Sequence, residues 1–140
     1  PFAGQAAHCD EIWLTVTNRA RGPQDVTILY RDRDLGLAAI WPVGGVSNRL
    51  APGQRAVAGL RIEVPEGAAA EEILILAVAA DLTQPRTDLT ALADDGTARA
   101  TGLAAGLLAL LDPDRARAFT PPALSPLTVQ RLPVLVQPAP

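Results

Sequence analysis

The stretch Ile73-Leu-Ile-Leu-Ala-Val-Ala79 decides the fold class, because it is apolar at every position. A short apolar run of this kind is typical of a central strand that is covered on both faces. The preceding residues, Ala68–Glu72, favour helix, so the run is alternatively one end of a helix. We favour the strand because of its Ile and Val content and because Gly67 and Pro85 bound the region.

Alternating segments on the N-terminal side of this run predict further strands. Apolar and polar residues alternate over Glu11–Thr17 and over Leu60–Val64, which is the pattern of a strand with one buried face. Two more strands are predicted at Asp25–Arg31 and Leu37–Trp41, and the residues between them are short enough for a hairpin turn around Gly36.

The pattern changes on the C-terminal side. Thr87–Ala93 predicts a short capped helix, and leucines after Thr101 are spaced along one helical face. The chain then returns to a strand at Leu127–Val136. Pro133 indicates an edge position for this strand, because proline has no amide hydrogen to donate to a neighbour. We therefore expect one or two short helices near residues 87–119, inserted before the last strand.

This order of elements predicts a mainly β fold. No helix lies between the early strands, as parallel crossovers would require. We expect an antiparallel β-sandwich of immunoglobulin-like type, with a lead-in segment at residues 1–10 and a single domain over residues 11–137. With 140 residues, of which 49% are hydrophobic, the chain is large enough for a core without metal or disulfide.

Composition argues against two classes of partner. The net charge is −3 and the twelve basic residues, all arginine, are scattered, so we expect no nucleic-acid binding. The longest apolar stretch, Ile73–Ala80, is far shorter than the ~20 residues that cross a bilayer, so we expect no membrane insertion. Arginine without lysine, together with abundant Ala, Leu, Pro and Gly, is typical of a GC-rich bacterial genome.

Two further observations concern context. The sequence contains no methionine, so we expect Pro1 to follow a signal peptide, a proteolytic cut or an upstream domain. It contains one cysteine, which excludes an intrachain disulfide and leaves the compartment open.

Candidate catalytic and metal-binding residues are few. His8 and Cys9 are the only histidine and cysteine, and adjacent residues in an extended chain point to opposite sides, which argues against a dyad. They are also too few ligands for zinc. Asp32 and Asp34 partly match the start of a calcium loop, but a solvated hairpin tip explains them better.

The remaining acidic pairs, Asp94 with Asp95 and Asp112 with Asp114, lie beside Gly or Pro, where aspartate commonly makes local hydrogen bonds. We therefore expect no catalytic, cofactor-binding or metal-binding residues, and no enzyme activity from this chain alone.

The two tryptophans leave an alternative open. Trp13 is out of phase with the apolar residues of its strand, and Trp41 ends another strand. Packing in the core or between subunits explains them more simply. If both were exposed on one face, they would favour a ligand-binding module for carbohydrate or peptide, in a secreted or surface protein.

A series of strand and turn motifs adds a family resemblance. Ile28–Pro42 contains a strand, a charged turn with glycine, a second strand and proline. Ser47–Gly53 follows as a loop, then Leu60–Pro65 and Glu72–Val78 as strands. Over about residues 12–80, this order resembles the uncharacterised β-sandwich domain found C-terminal to bacterial caspase-like (metacaspase-type) cysteine peptidase domains.

The resemblance implies an accessory role. The catalytic cysteine and histidine would belong to the upstream peptidase domain, and His8 and Cys9 would inherit no role. The expected function is therefore a non-catalytic interaction domain that regulates or targets a caspase-like peptidase. Its partner would be the peptidase domain of the same polypeptide or another protein.

Overall fold

The computed structural model describes residues 4–34, 36–63, 67–94 and 127–137. In these ranges the protein is mainly β, as predicted, with one short helix. In chain order the elements are β1 (Gln5–Ala7), β2 (Glu11–Thr17), β3 (Gln24–Arg31), β4 (Leu37–Trp41), β5 (Arg49–Leu50), β6 (Arg55–Arg61), β7 (Ala69–Ala79), α1 (Ala91–Asp94) and β8 (Leu127–Gln137).

Six of these strands form one sheet. Its order is β1-β8-β7-β3-β4, and β5 also pairs with β3. All pairings are antiparallel except that of β1 with β8, which is parallel. The sheet is therefore mixed, and the expectation of a wholly antiparallel arrangement was wrong at this edge. The predicted lead-in segment supplies the parallel strand through its residues 5–7.

The apolar run that decides the fold lies in β7, at the centre of the six-stranded sheet. β7 pairs with β3 on one side and with β8 on the other. Ile73 is completely buried on one face of the sheet, and Leu74 and Leu76 are completely buried on the other. The interpretation as a central strand covered on both faces is confirmed.

β2 and β6 form a separate two-stranded antiparallel sheet, whose pairing runs from Glu11 opposite Arg61 to Thr17 opposite Arg55. The strand predicted at Leu60–Val64 thus begins and ends earlier than expected. Its buried positions include Ala56 and Ala58, which carry little of the apolar signal that the prediction used.

Two hydrophobic clusters lie on opposite faces of the six-stranded sheet. The first is shared with the two-stranded sheet and contains, among others, Ile12, Ala58, Ile28, Trp41, Ile73 and Val136. The second joins Leu29, Leu74, Leu76 and Val78 to Leu89 and Leu92 of the segment around α1. The six-stranded sheet is therefore the middle layer of the described structure.

A buried ion pair fixes the segment that precedes α1. The Asp25 carboxylate accepts hydrogen bonds from Arg49 Nε and Nη2, at 2.8 and 3.0 Å, and from the Thr87 amide at 2.7 Å. Arg49 Nη1 also donates to the carbonyls of Asp81 and Gln84. The Arg49 guanidinium thus links β3 to the segment around residues 81–87 that follows β7.

Neighbouring polar groups explain why the helix begins later than predicted. Buried Asn48 donates to the Thr87 carbonyl, and Thr27 Oγ1 accepts from the Leu89 amide. These bonds hold the start of the predicted helix Thr87–Ala93 against the sheet, so α1 begins only at Ala91. Most of the predicted helical insertion, including Thr101, lies outside the described residues.

Pro133 occupies a position that needs no amide donor. The Leu135 amide donates to the Gly4 carbonyl, on the side of β8 that faces away from β7. Because amide directions alternate along a strand, the Pro133 nitrogen lies on that same side. β8 lies between β1 and β7 in the sheet, so the predicted edge position was wrong for residues 135–137. Along residues 127–134, which include Pro133, no described strand pairs with this side of β8.

Candidate interaction surface

The outer face of the two-stranded sheet is exposed along its whole length. Side chains alternate between the two faces of a strand, and the outward set belongs to four directly opposed pairs. These pairs are Glu11 with Arg61, Trp13 with Gly59, Thr15 with Val57, and Thr17 with Arg55. Trp13 is 70% exposed and Val57 is 58% exposed, so the face presents apolar groups to solvent.

Trp13 is held across the neighbouring strand. A Cβ atom placed on Gly59 would lie 2.9 Å from Trp13 Cζ3, which no real side chain tolerates. The indole therefore covers the backbone of Gly59, a contact that only glycine permits. Trp13 is out of phase with the apolar residues of its strand, and its side chain lies outside the core. The favoured expectation of packing in the core was therefore wrong for Trp13, and packing between subunits stays a prediction. That Gly59 lies opposite Trp13 could not be predicted, because it depends on the register of β2 against β6, which the sequence does not reveal.

Trp41 lies elsewhere. It is 6% exposed and packs in the cluster shared by the two sheets. The two tryptophans therefore do not form one exposed surface.

Both edges of the two-stranded sheet are open among the described residues. The Ile62 amide donates to the Asp10 carbonyl at one end of the sheet, and the Asn18 amide donates to the Gln54 carbonyl at the other. The directions of the backbone N–H and C=O groups alternate along a strand. In β6, the groups of the even-numbered residues therefore point toward β2. The N–H and C=O groups of Val57 and Gly59 then point to the free edge, as template positions for a further strand.

A cleft of about 390 Å³ lies beside this free edge, between β6 and β4, and we call it the β6 cleft. Its lining includes Ile40, Trp41, Val43, Val46, Leu50 and Val57. Val43 and Val46 are 59% and 44% exposed, although both are apolar. The outward backbone groups of Val57 and Gly59 thus lie next to apolar side chains.

The free edge of β2 is bordered by a smaller cleft. Its volume is about 220 Å³, and Ile75, Ala77 and Thr128 of the six-stranded sheet line it. Ile75 and Ala77 are only half-buried, and Thr128 is exposed. Each edge that is unpaired in the described ranges is therefore bordered by a cleft, and the larger of the two lies at β6.

Charge is concentrated at one end of the two-stranded sheet. Arg55 is exposed at the start of β6, and Arg19 and Arg21 are exposed in the turn that follows β2. The ion pairs of the described residues involve none of these three arginines. Arg61, at the other end of β6, lies opposite Glu11. The Arg55 end is therefore the one without a facing acidic residue on β2.

Two of the residues considered for catalysis or metal binding, Cys9 and Asp32, make hydrogen bonds that shape the local backbone. Cys9 is exposed and has a positive φ of 72°, and its amide donates to the Ile62 carbonyl. Asp32 Oδ1 accepts hydrogen bonds from the amides of Asp34 and Gly36, which closes the hairpin tip. Within the described ranges, no three or more His, Cys, Asp and Glu residues come together as metal ligands.

The predicted acidic pairs at helix ends fall outside what is described. This applies to Asp95, Asp112 and Asp114, and to the side chain of Asp94.

Two of the titratable groups with shifted pKa values, Tyr30 and Asp25, lie on β3 of the large sheet. Burial and a hydrogen bond to Glu71 raise the pKa of Tyr30 well above its ordinary value. Burial alone would raise the pKa of Asp25, but hydrogen bonds from Arg49 and the Thr87 amide outweigh it and lower that pKa. Neither residue lines the β6 cleft, and each is explained by the contacts that it makes within the fold.

Among the described residues, no helix is long and apolar enough to span a membrane. Comparison with known proteins found no matching family model and no matching curated protein.

Proposed function

We propose that this chain is a non-catalytic interaction domain that regulates or targets a caspase-like cysteine peptidase of bacterial type. Its partner is the peptidase domain of the same polypeptide or another protein. The residues that carry the interaction belong to the two-stranded sheet and not to a catalytic centre.

One observation carries this proposal: a small sheet, whose two edges are unpaired within the described part of the chain, presents an exposed tryptophan. Trp13 is 70% exposed on a face that also carries exposed Val57. Exposed aromatic and apolar residues next to unpaired strand edges mark surfaces that bind other chains. Cys9 and Asp32, which were first considered for chemistry, make backbone hydrogen bonds that shape the local chain.

We also propose that the fold is a β-sandwich of immunoglobulin-like type. The support is the cluster in which side chains of both sheets meet, with Ile12 and Ala58 from one sheet and Ile28 and Ile73 from the other. Two sheets that bury one shared cluster follow the packing logic of sandwiches. This arrangement leaves the outer face of the smaller sheet open for a partner.

A ligand-binding module of a secreted or surface protein is the second candidate. Trp13 favours it, because an exposed indole suits a sugar ring or a peptide. The burial of Trp41 removes the paired-tryptophan groove on which this candidate was based.

The test compares the peptidase activity of a parent polypeptide with and without residues 1–140, after each version is checked for folding. A version with Trp13→Ala in the intact polypeptide shows whether the exposed face is responsible. We expect a changed rate or substrate preference on removal, and part of that change with Trp13→Ala. Unchanged activity in all versions, or a parent without a peptidase domain, would contradict the proposal.

A further inference from the structure

We propose that the free edge of β6 binds an extended peptide by strand addition, with alternate apolar side chains in the β6 cleft and an acidic residue opposite Arg55. This inference rests on the proposed interaction function and names its surface and the chemistry of its ligand.

The first support is the direction of the backbone groups. Val57 and Gly59 point their N–H and C=O groups away from β2, as the hydrogen bonds at both ends of the sheet require. No described strand pairs with them on that side. A peptide in extended conformation satisfies these groups with main-chain hydrogen bonds, which are independent of its side chains.

The second support is the wall beside them. A strand added to β6 directs every second side chain toward the six-stranded sheet. There it meets Ile40, Val46 and Leu50 in a cleft of about 390 Å³. Valine and isoleucine suit these positions, because branched apolar side chains pack well on a pleated surface.

The third support is charge. The other side chains of the added strand lie beside Arg55, Val57, Gly59 and Arg61 on the outer face. Arg61 already faces Glu11 across the sheet, whereas Arg55 faces the neutral Thr17. An acidic residue opposite Arg55 forms the opposite-charge pair that the sheet itself lacks there. The ligand is thus an extended peptide with an apolar side chain at every second position and an acidic residue at one end.

The same charges disfavour a second copy of this chain as the occupant. Antiparallel pairing of two β6 strands about Ala58 sets Arg55 of one copy opposite Arg61 of the other, at both ends of the pair. Like charges directly opposite each other destabilise a strand pair. An acidic peptide is therefore the better occupant.

The experiment titrates the full 140-residue chain with short, end-blocked peptides and follows backbone amides by NMR. Each peptide alternates valine with threonine and carries aspartate in place of threonine at its first or last position. Two peptides cover both strand directions, and lysine versions serve as charge controls. We expect one aspartate peptide to bind, with the largest shifts at Val57 and Gly59.

Two variants test the site. Val57→Pro removes an outward amide and should abolish binding, whereas Thr15→Pro, the matched change on the free edge of β2, should leave it unchanged. Arg55→Glu should weaken the aspartate peptide about tenfold and strengthen the lysine peptide, and Arg33→Glu at the hairpin tip should do neither. This charge swap remains informative even if a proline variant fails to fold.

Three results would overturn the inference: no binding of either aspartate peptide, shifts centred on Trp13 and Thr15, or a concentration-dependent dimer through β6. None depends on a peptidase. If the peptide binds but the parent's activity is insensitive to residues 1–140, the regulatory proposal fails while the site stands. If activity changes but no peptide binds, the site fails and the regulatory proposal stands.

Discussion

The two sheets of this protein differ in what their side chains do. The six-stranded sheet has a buried cluster on each face, and it supplies most of the large side chains with almost no exposure. The two-stranded sheet buries one face, through small residues such as Ala56 and Ala58, and exposes Trp13 and Val57 on the other. We infer that stability resides in the large sheet, while the small one has an exposed face and, among the described residues, two unpaired edges.

Truncation in the two sheets should give the largest contrast. Leu74→Ala removes a completely buried side chain from β7 and should lower the free energy of unfolding by about 2–5 kcal/mol. Leu60→Ala, at a half-buried position of β6, should cost about 1 kcal/mol. Urea unfolding of both variants measures this. Equal costs would contradict the assignment of stability to the large sheet.

The buried ion pair of the large sheet should give the next largest effect. Asp25→Asn weakens hydrogen bonds from Arg49 and the Thr87 amide and should cost about 2 kcal/mol at neutral pH. Asp34→Asn at the exposed hairpin tip is the matched control and should cost almost nothing.

The pH dependence of this effect has a definite sign. The pKa of Asp25 is lowered in the folded protein, so its stabilisation is fully present above the ordinary value of 3.8 and is lost as the pH falls through the folded pKa. The difference in unfolding free energy between the wild type and Asp25→Asn should shrink in that acidic range. A difference that is constant there would contradict the ionic origin of the effect.

The Tyr30 hydrogen bond should matter less. Tyr30→Phe removes its bond to Glu71 on β7 and should cost about 1 kcal/mol in urea unfolding. Because the pKa of Tyr30 is raised, the wild type's advantage should persist up to the ordinary value of 10.0 and decline as the pH rises further. An unchanged unfolding midpoint in Tyr30→Phe would show that the bond contributes nothing.

The smallest effect on stability belongs to the outer face of the two-stranded sheet. Gly59→Val adds a Cβ where the Trp13 ring lies, so the ring must move into solvent. Stability should change by less than about 0.5 kcal/mol, since the site is exposed. Trp13 fluorescence should shift to the red, and Gly22→Val, in an open turn, should leave it unchanged. An unshifted spectrum would mean that the indole does not rest on Gly59.

The sequence predicted the large sheet better than the small one. The bounds of β4 match the prediction, and β3 begins one residue earlier than predicted. The apolar run that ends β7 was identified because Ile and Val give a strong local signal. β6 was misplaced since its buried residues include alanines, and β1 and β5 are too short for a pattern to form. The parallel pairing of β1 with β8 depends on residues far apart in sequence, which local periodicity does not report.

The candidate surface was only partly predictable. The phase of Trp13 against its strand indicated its outward direction, but packing in the core or between subunits was the favoured expectation, and the core part of it was wrong. The contact with Gly59 depends on register, and the β6 cleft depends on how β6 and the segment around Val46 approach each other in space. Trp41 is likewise buried because the two sheets pack against each other there. Its position at the end of a predicted strand does not indicate this packing.

The most direct test of this account is amide hydrogen exchange of the free chain. We expect slow exchange for β7 amides such as those of Ile73 and Leu74, and fast exchange for the outward amides of Val57 and Gly59. Slow exchange at Val57 and Gly59 in the monomeric chain would show that the β6 edge is already covered, and would contradict the claim that the small sheet is open to a partner.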